Sequence, residues 1–324
     1  MANAVASELN PESKPDAWHV LVCGLPLVGD SLDLGESLTI RRLVHPLSVF
    51  DLAAVGAVGF REWAVLEPLA PVATSEIVSP LAAAKLPGYD ALNKCWLVSA
   101  LLVIRGFAKH FCPAVSGYSW NLIAGHQRQI SASFRSQLAE EGVDKAVFEP
   151  RKSLPKFSGG LLDYHLSMLV PLDLKDLPLD PTEGHWISIH LERFNQLASS
   201  DERFRFALEA SVDWRYAKDP RAAISRLWAG IESLFGLSAE LVYRVSLFGS
   251  VGLASRGEGR LQAFRRIKAS YGIRSKAVHG EPLSQDKLSS GMHEAFDILR
   301  ALLLYCVLRG GVPTEDDLYR ELLC

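Results

Sequence analysis

Asp219-Pro220-Arg221-Ala222-Ala223-Ile224-Ser225-Arg226-Leu227-Trp228-Ala229-Gly230-Ile231-Glu232-Ser233-Leu234-Phe235-Gly236 reads as one complete helix with both ends marked. Asp219 is a side-chain N-cap and Pro220 a first-turn proline, placed where its missing N–H costs nothing. Ile224, Leu227, Ile231, Leu234 and Phe235 recur at helical spacing and make an apolar stripe, which Gly236 closes. The segments downstream are of the same kind. Ser238 can cap a following helix, and Leu261, Phe264, Ile267, Tyr271 and Val278 mark a long one that ends at Gly280 and Pro282. Ser284 starts another that runs to Gly310-Gly311, and Thr314 with Asp317 makes an approximate capping box for a short last helix. From His185 to the end the pattern is therefore an all-α bundle of about six helices with short connections.

The chain changes character at about residue 180. Upstream, Trp18-His19-Val20-Leu21-Val22, Leu38-Thr39-Ile40-Arg41 and Leu162–Met168 alternate as strands do, between Pro- and Gly-rich connections, and Ala91–Phe107 reads as a helix. Pro171 to Pro181 cannot carry a helix, because its prolines remove donors and disfavour helical geometry in the residues before them. The expected fold class is α+β: a tail over 1–16, a mixed strand and helix domain over 17–170 with a sensing or regulatory role, a proline-rich linker over 171–184, and an all-α domain over 185–324.

Composition narrows the function classes. At 324 residues, 48% apolar and 22% charged, the chain has material for two cores, and its net charge of −3 excludes a globally basic nucleic-acid coat. Cys23, Cys95, Cys112, Cys306 and Cys324 are odd in number and form no CxxC, which argues against a disulfide framework or thiolate zinc and for a reducing cytoplasm. Met1–Asp16 lacks the features of a signal peptide, and the apolar runs around Leu97–Ile104 and Ala301–Leu308 fall short of a membrane span. No GxxxxGK[ST], strand-linked GxGxxG, HExxH or GxSxG is present. His185 and His190 have the wrong spacing for a zinc pair on one helix face, so cap or surface roles fit them better. No metal and no cofactor are expected.

The chemistry-bearing candidate is Tyr271-Gly272-Ile273-Arg274-Ser275-Lys276-Ala277-Val278-His279-Gly280. On an unbroken helix Arg274 and His279 would stand about 140° apart, so they converge only if the helix ends between them and the turn. Gly280 as a left-handed residue supplies that ending and leaves His279 at the C-cap. There the helix dipole favours an imidazolium suited to moving protons, and Arg274 suits a phosphate. The residues alone leave a plainer reading open, in which the histidine is only a cap and the arginine a solvated or paired surface residue. Between Arg256 and Lys276, seven cations (Arg256, Arg260, Arg265, Arg266, Lys268, Arg274, Lys276) face one acid, Glu258. Such a strip is either a polyanion footprint or a solvated face. A second arginine–histidine spacing, Arg105 to His110, follows an apolar run and lacks the helical context.

The ordered set of Ala207-Leu208, Trp214-Arg215-Tyr216, Leu227-Trp228-Ala229-Gly230-Ile231-Glu232-Ser233-Leu234-Phe235 and Tyr271 to Gly280 resembles the HEPN superfamily, and within it the Apea-like proteins of bacterial abortive infection. The resemblance covers roughly the last 40% of the chain and rests on the set, since any single short motif is unspecific. It implies a dimerising helical bundle and a ribonuclease that needs no metal, with Arg274 and His279 catalytic and Glu232 pairing with Arg274. Ser275 follows the arginine, where many active members carry Asn, Asp or His, and serine is compatible with the Apea-like branch. The cations of the strip together with Tyr271 would contact RNA. The alternative within the resemblance is a non-catalytic HEPN module that binds a protein partner or a nucleotide. Two further expectations concern assembly and control. The helix Leu288–Leu308 is apolar on more than one side and so calls for a second copy. Residues 1–184 carry an acidic excess and could either cover the basic strip or recognise a phage-derived or protein trigger.

Overall fold

Alternation over Trp18–Val22 builds the centre of a sheet. The computed structural model describes residues 16–47, 68–81, 91–124, 132–142, 159–161, 177–237 and 241–324. Among these, six strands, β1 (Ala17–Cys23), β2 (Ser31–Asp33), β3 (Thr39–Arg42), β4 (Ala73–Pro80), β5 (Ala114–Ser116) and β6 (Gly159–Leu161), form one antiparallel sheet in the order β2-β3-β4-β1-β5-β6. Successive side chains of β1 take opposite faces. Val20 and Val22 join a buried cluster with Ile40, Ile77 and helix α1 (Ala91–Ile104), while Leu21 and Cys23 pack with Ala114 and with Trp120 and Ile123 of helix α2 (Trp120–Ala124). A further helix, α3, spans Ala132–Glu140. The strand expected over Leu162–Met168 lies outside the described residues.

Among the described residues, seven α-helices occupy the region read as about six: α4 (Pro181–Ser200), α5 (Glu202–Asp213), α6 (Pro220–Phe235), α7 (Leu241–Leu253), α8 (Glu258–Val278), α9 (Gln285–Arg309) and α10 (Glu315–Leu323). The ends fall where local chemistry dictates. Asp219 accepts hydrogen bonds from the backbone N–H of Arg221 and Ala222 at 2.8 and 3.0 Å, and Gly236 closes α6 in the left-handed region at φ 61°. Ser284 caps α9, and Thr314 and Asp317 cap α10 reciprocally. Ser238 lies outside the described residues.

The sheet and the helices share one buried cluster that runs from Val20 through α1 and α4 to Leu318, so the expected division into two tethered domains is replaced by a continuous core. Of the expected linker, residues 171–176 lie outside the described residues. Leu179 is fully buried and forms a parallel bridge with Leu27, Asp180 caps α4 by accepting from the Glu183 N–H, and Pro181–Gly184 are already the first turn of that helix. Arg105 and Glu183 form a two-bond ion pair between α1 and α4, and the buried Arg215 donates to the carbonyls of Ala108 and His110 at 3.0 and 2.7 Å. Proline keeps residues 177–180 out of the helix but does not forbid burial, and Pro181 opens α4 at the position where its missing N–H costs nothing.

Helix α9 is the axis of the bundle and packs against α5, α6, α7 and α8. Its apolar breadth is real: Met292, Phe296, Ile298, Leu299, Leu302, Leu303 and Val307 are all buried. The chain's own helices cover them, while Leu308 near the end of α9 stays 70% exposed. No helix among the described residues is long and apolar enough to cross a membrane.

Candidate functional site

One face of α6 organises the site. Arg221, Ser225, Trp228 and Glu232 follow at intervals of four, three and four residues, which superposes them along the helix, and that face meets α8. Trp228, fully buried, packs edge-on against the Tyr271 ring with centroids 5.0 Å apart. Arg274 stands 3.1 Å from Glu232, and its guanidinium lies 5.3 Å from the centroid of the Tyr271 ring. Both charged side chains are about four-fifths withdrawn from solvent, with 23% and 21% exposure. Burial outweighs the pull of Arg274 and holds the Glu232 carboxyl above its ordinary range, and burial beside Glu232 likewise raises Tyr271. The expected Glu232–Arg274 pair is therefore present. Tyr271, expected on an RNA surface, is a buried packing residue instead.

The helix end forms as its sequence dictates. Helix α8 stops at Val278, His279 is the C-cap at φ −84° and ψ 5°, and Gly280 is left-handed at φ +72°. The Glu281 N–H bonds back to the Lys276 carbonyl at 3.0 Å, the long bond of a Schellman turn. His279 is exposed, and its ring has no protein partner among the described residues. Ser275 is half-buried, and its carbonyl accepts the His279 N–H.

The contacts of Arg274 among the described residues are with Glu232 and Tyr271, and none joins it to His279. Helical side chains lean toward the N-terminus, and the Arg274 guanidinium over Tyr271 obeys that rule, reaching away from the turn that carries His279. The left-handed glycine ends the helix but does not aim the arginine at the histidine.

The basic strip divides. Arg256 donates to the Leu322 carbonyl, and Arg260 donates to those of Ala254 and Glu321, so both serve helix ends at α10 and α7. Arg266 is ion-paired with Glu294 of α9, and Arg274 with Glu232. Arg265, Lys268 and Lys276 remain on the exposed face of α8, with only the Phe264 ring near Lys268. Among the described residues, the carboxylates that meet the strip come from α6 and α9.

The second arginine–histidine spacing is consumed by structure. Arg105 holds Glu183 and covers the Trp186 ring at 4.6 Å, while His110 accepts from or donates to Ser99 at 2.8 Å and is 1% exposed. Burial, and next the charge of Arg215, push His110 down to about 3, so its imidazole is neutral and too weakly basic to take the Ser99 proton. His190 stacks on Trp186 with centroids 4.2 Å apart, a packing role.

Reading the sequence missed Arg221. Its guanidinium donates to the carbonyls of Lys276, Ala277 and Glu281 at 3.3, 3.2 and 2.7 Å. The one signal was a misfit: a cation in the first turn of a helix opposes the helix dipole, and Arg221 follows Pro220 with no acid in that turn. No family model, no curated protein and no solved structure matches the chain.

Proposed function

We propose that the chain is a HEPN-type endoribonuclease of the Apea-like kind, acting in bacterial anti-phage defence, with its N-terminal half sensing a trigger or restraining cleavage. The observation that carries the reading is the arrangement on α8: Arg274 fixed by Glu232 and Tyr271, and His279 exposed at a helix end terminated by left-handed Gly280. In the chemistry this supports, a ribose 2′-oxygen bonds to the adjacent phosphorus as the bond to the 5′-oxygen breaks. His279 relays the proton from the 2′-hydroxyl to the leaving oxygen, and Arg274 offsets charge on the pentacoordinate phosphorus. Only RNA carries the attacking hydroxyl. A homodimer belongs to this reading, because the Arg274 guanidinium leans away from its own chain's His279 and a second copy can supply the complement.

That same lean favours a second reading, a non-catalytic HEPN module that binds a partner or a nucleotide. An oligoribonucleotide and a copy with 2′-deoxyribose at the cleaved position separate the two. Cleavage of the first alone supports the nuclease, and cleavage of neither supports the binding module.

A further inference from the structure

Resting on the nuclease reading, we infer that Arg221 is the positioning residue for His279, so that α6 sets both halves of the site, Glu232 for the arginine and Arg221 for the histidine. The carbonyls at a helix C-terminus lack intrahelical donors and carry the negative end of the dipole. Those of Lys276 and Ala277 precede His279, and that of Glu281 follows it, and the one guanidinium of Arg221 spans all three. Five N–H donors in a rigid fork make this possible, and a lysine offers only a point charge.

The turn has little else to hold it. Val278, His279, Gly280 and Glu281 are all exposed, and a side chain placed on Gly280 would meet nothing within 4 Å. Apart from the backbone bonds of His279 to Ser275 and of Glu281 to Lys276, Arg221 supplies the hydrogen bonds that tie this turn to the rest of the chain among the described residues. Arg221 is itself fixed, since its own N–H is bound by Asp219 at 2.8 Å and the Ser225 hydroxyl donates to its carbonyl. The guanidinium touches no reacting atom. It acts by setting where the His279 turn stands relative to Arg274, which Glu232 anchors on the same helix three turns further along.

The test compares full-length wild type, Arg221→Gln and Arg221→Lys, with Arg226→Gln as the control, since Arg226 pairs with Asp213 and lies outside the site. RNA cleavage is followed at saturating and subsaturating substrate, and amide exchange is followed over residues 277–281. Arg221→Gln should lower kcat about 10- to 100-fold, the scale of a misplaced catalytic group, with KM within about twofold because ground-state binding is untouched. Exchange over 277–281 should quicken, Arg221→Lys should fall between the two, and the control should match wild type. Full activity in Arg221→Gln beside an active wild type overturns the role, as does a loss that only mirrors the unfolded fraction. A wild type that cuts no RNA overturns the nuclease reading and this role with it.

Discussion

Arg274 and His279 stand near the end of one helix in opposite environments: the arginine is ion-paired to Glu232 over the Tyr271 ring, and the histidine is exposed at the C-cap. The pair is thus half preorganised. The charge-stabilising member is held by packing, and the proton-moving member by a turn that Arg221 clamps.

The Glu232 carboxyl links the site to stability. Its folded value lies above the ordinary 4.5, with burial as the chief cause. The folded chain then holds a proton that the unfolded chain has released, so this group's contribution falls as pH rises from about 4.5 through the raised value. Glu232→Gln removes that titration. Urea unfolding at about pH 4 to 7 should show the Gln variant gaining on wild type as the pH rises. A constant difference at every pH would contradict the assignment.

Arg105→Ala should not behave as a silent control. The side chain makes two bonds to Glu183, whose carboxylate is 12% exposed, and it also covers Trp186. Loss of the pair should lower stability by about 1 to 3 kcal/mol while leaving activity per folded molecule unchanged. Denaturant melts paired with cleavage assays below the transition check both.

A fragment that begins near residue 183 should lose cooperative folding instead of gaining activity. It would strip Asp180 from the start of α4, Arg105 from Glu183, and the Ala108 and His110 carbonyls from buried Arg215. It would also expose core that Leu179 and α1 now cover. Dye binding and a broad thermal transition are the expected signs. A sharply melting, active fragment would restore the two-domain picture.

Gly230 and Gly272 should respond oppositely to alanine. A Cβ on Gly230 would stand 2.8 Å from that of Ala210 and 3.2 Å from Leu299, so overpacking of about 1 to 3 kcal/mol is expected. Gly272, exposed within α8, would meet nothing within 4 Å, and alanine there should stabilise by up to about 1 kcal/mol through helix propensity. Thermal melts of the two variants decide it.

What could be read from the sequence was what is local. Asp219, Gly236, Gly280, Ser284 and Thr314 act within a few residues of themselves, so the helix ends they mark were legible, as was the alternation of β1. The partnerships that were missed reach across the chain: Arg221 to Glu281, Arg105 to Glu183, and Arg215 to His110. Periodicity carries no record of such pairings. The division of the seven-cation strip was hidden for the same reason, because Glu294 and the Glu321 carbonyl that engage Arg266 and Arg260 come from α9 and α10.

The central claim meets its most direct test when full-length protein is incubated with total RNA, with and without EDTA, beside Arg274→Ala and His279→Ala. Cleavage by wild type should survive EDTA, and each variant should lose at least about 100-fold per folded molecule, with a cooperative melt that is unchanged in His279→Ala and lowered in Arg274→Ala, which leaves Glu232 unpaired. A wild type that leaves RNA whole, or a His279→Ala variant that cleaves as fast as wild type, would contradict the account.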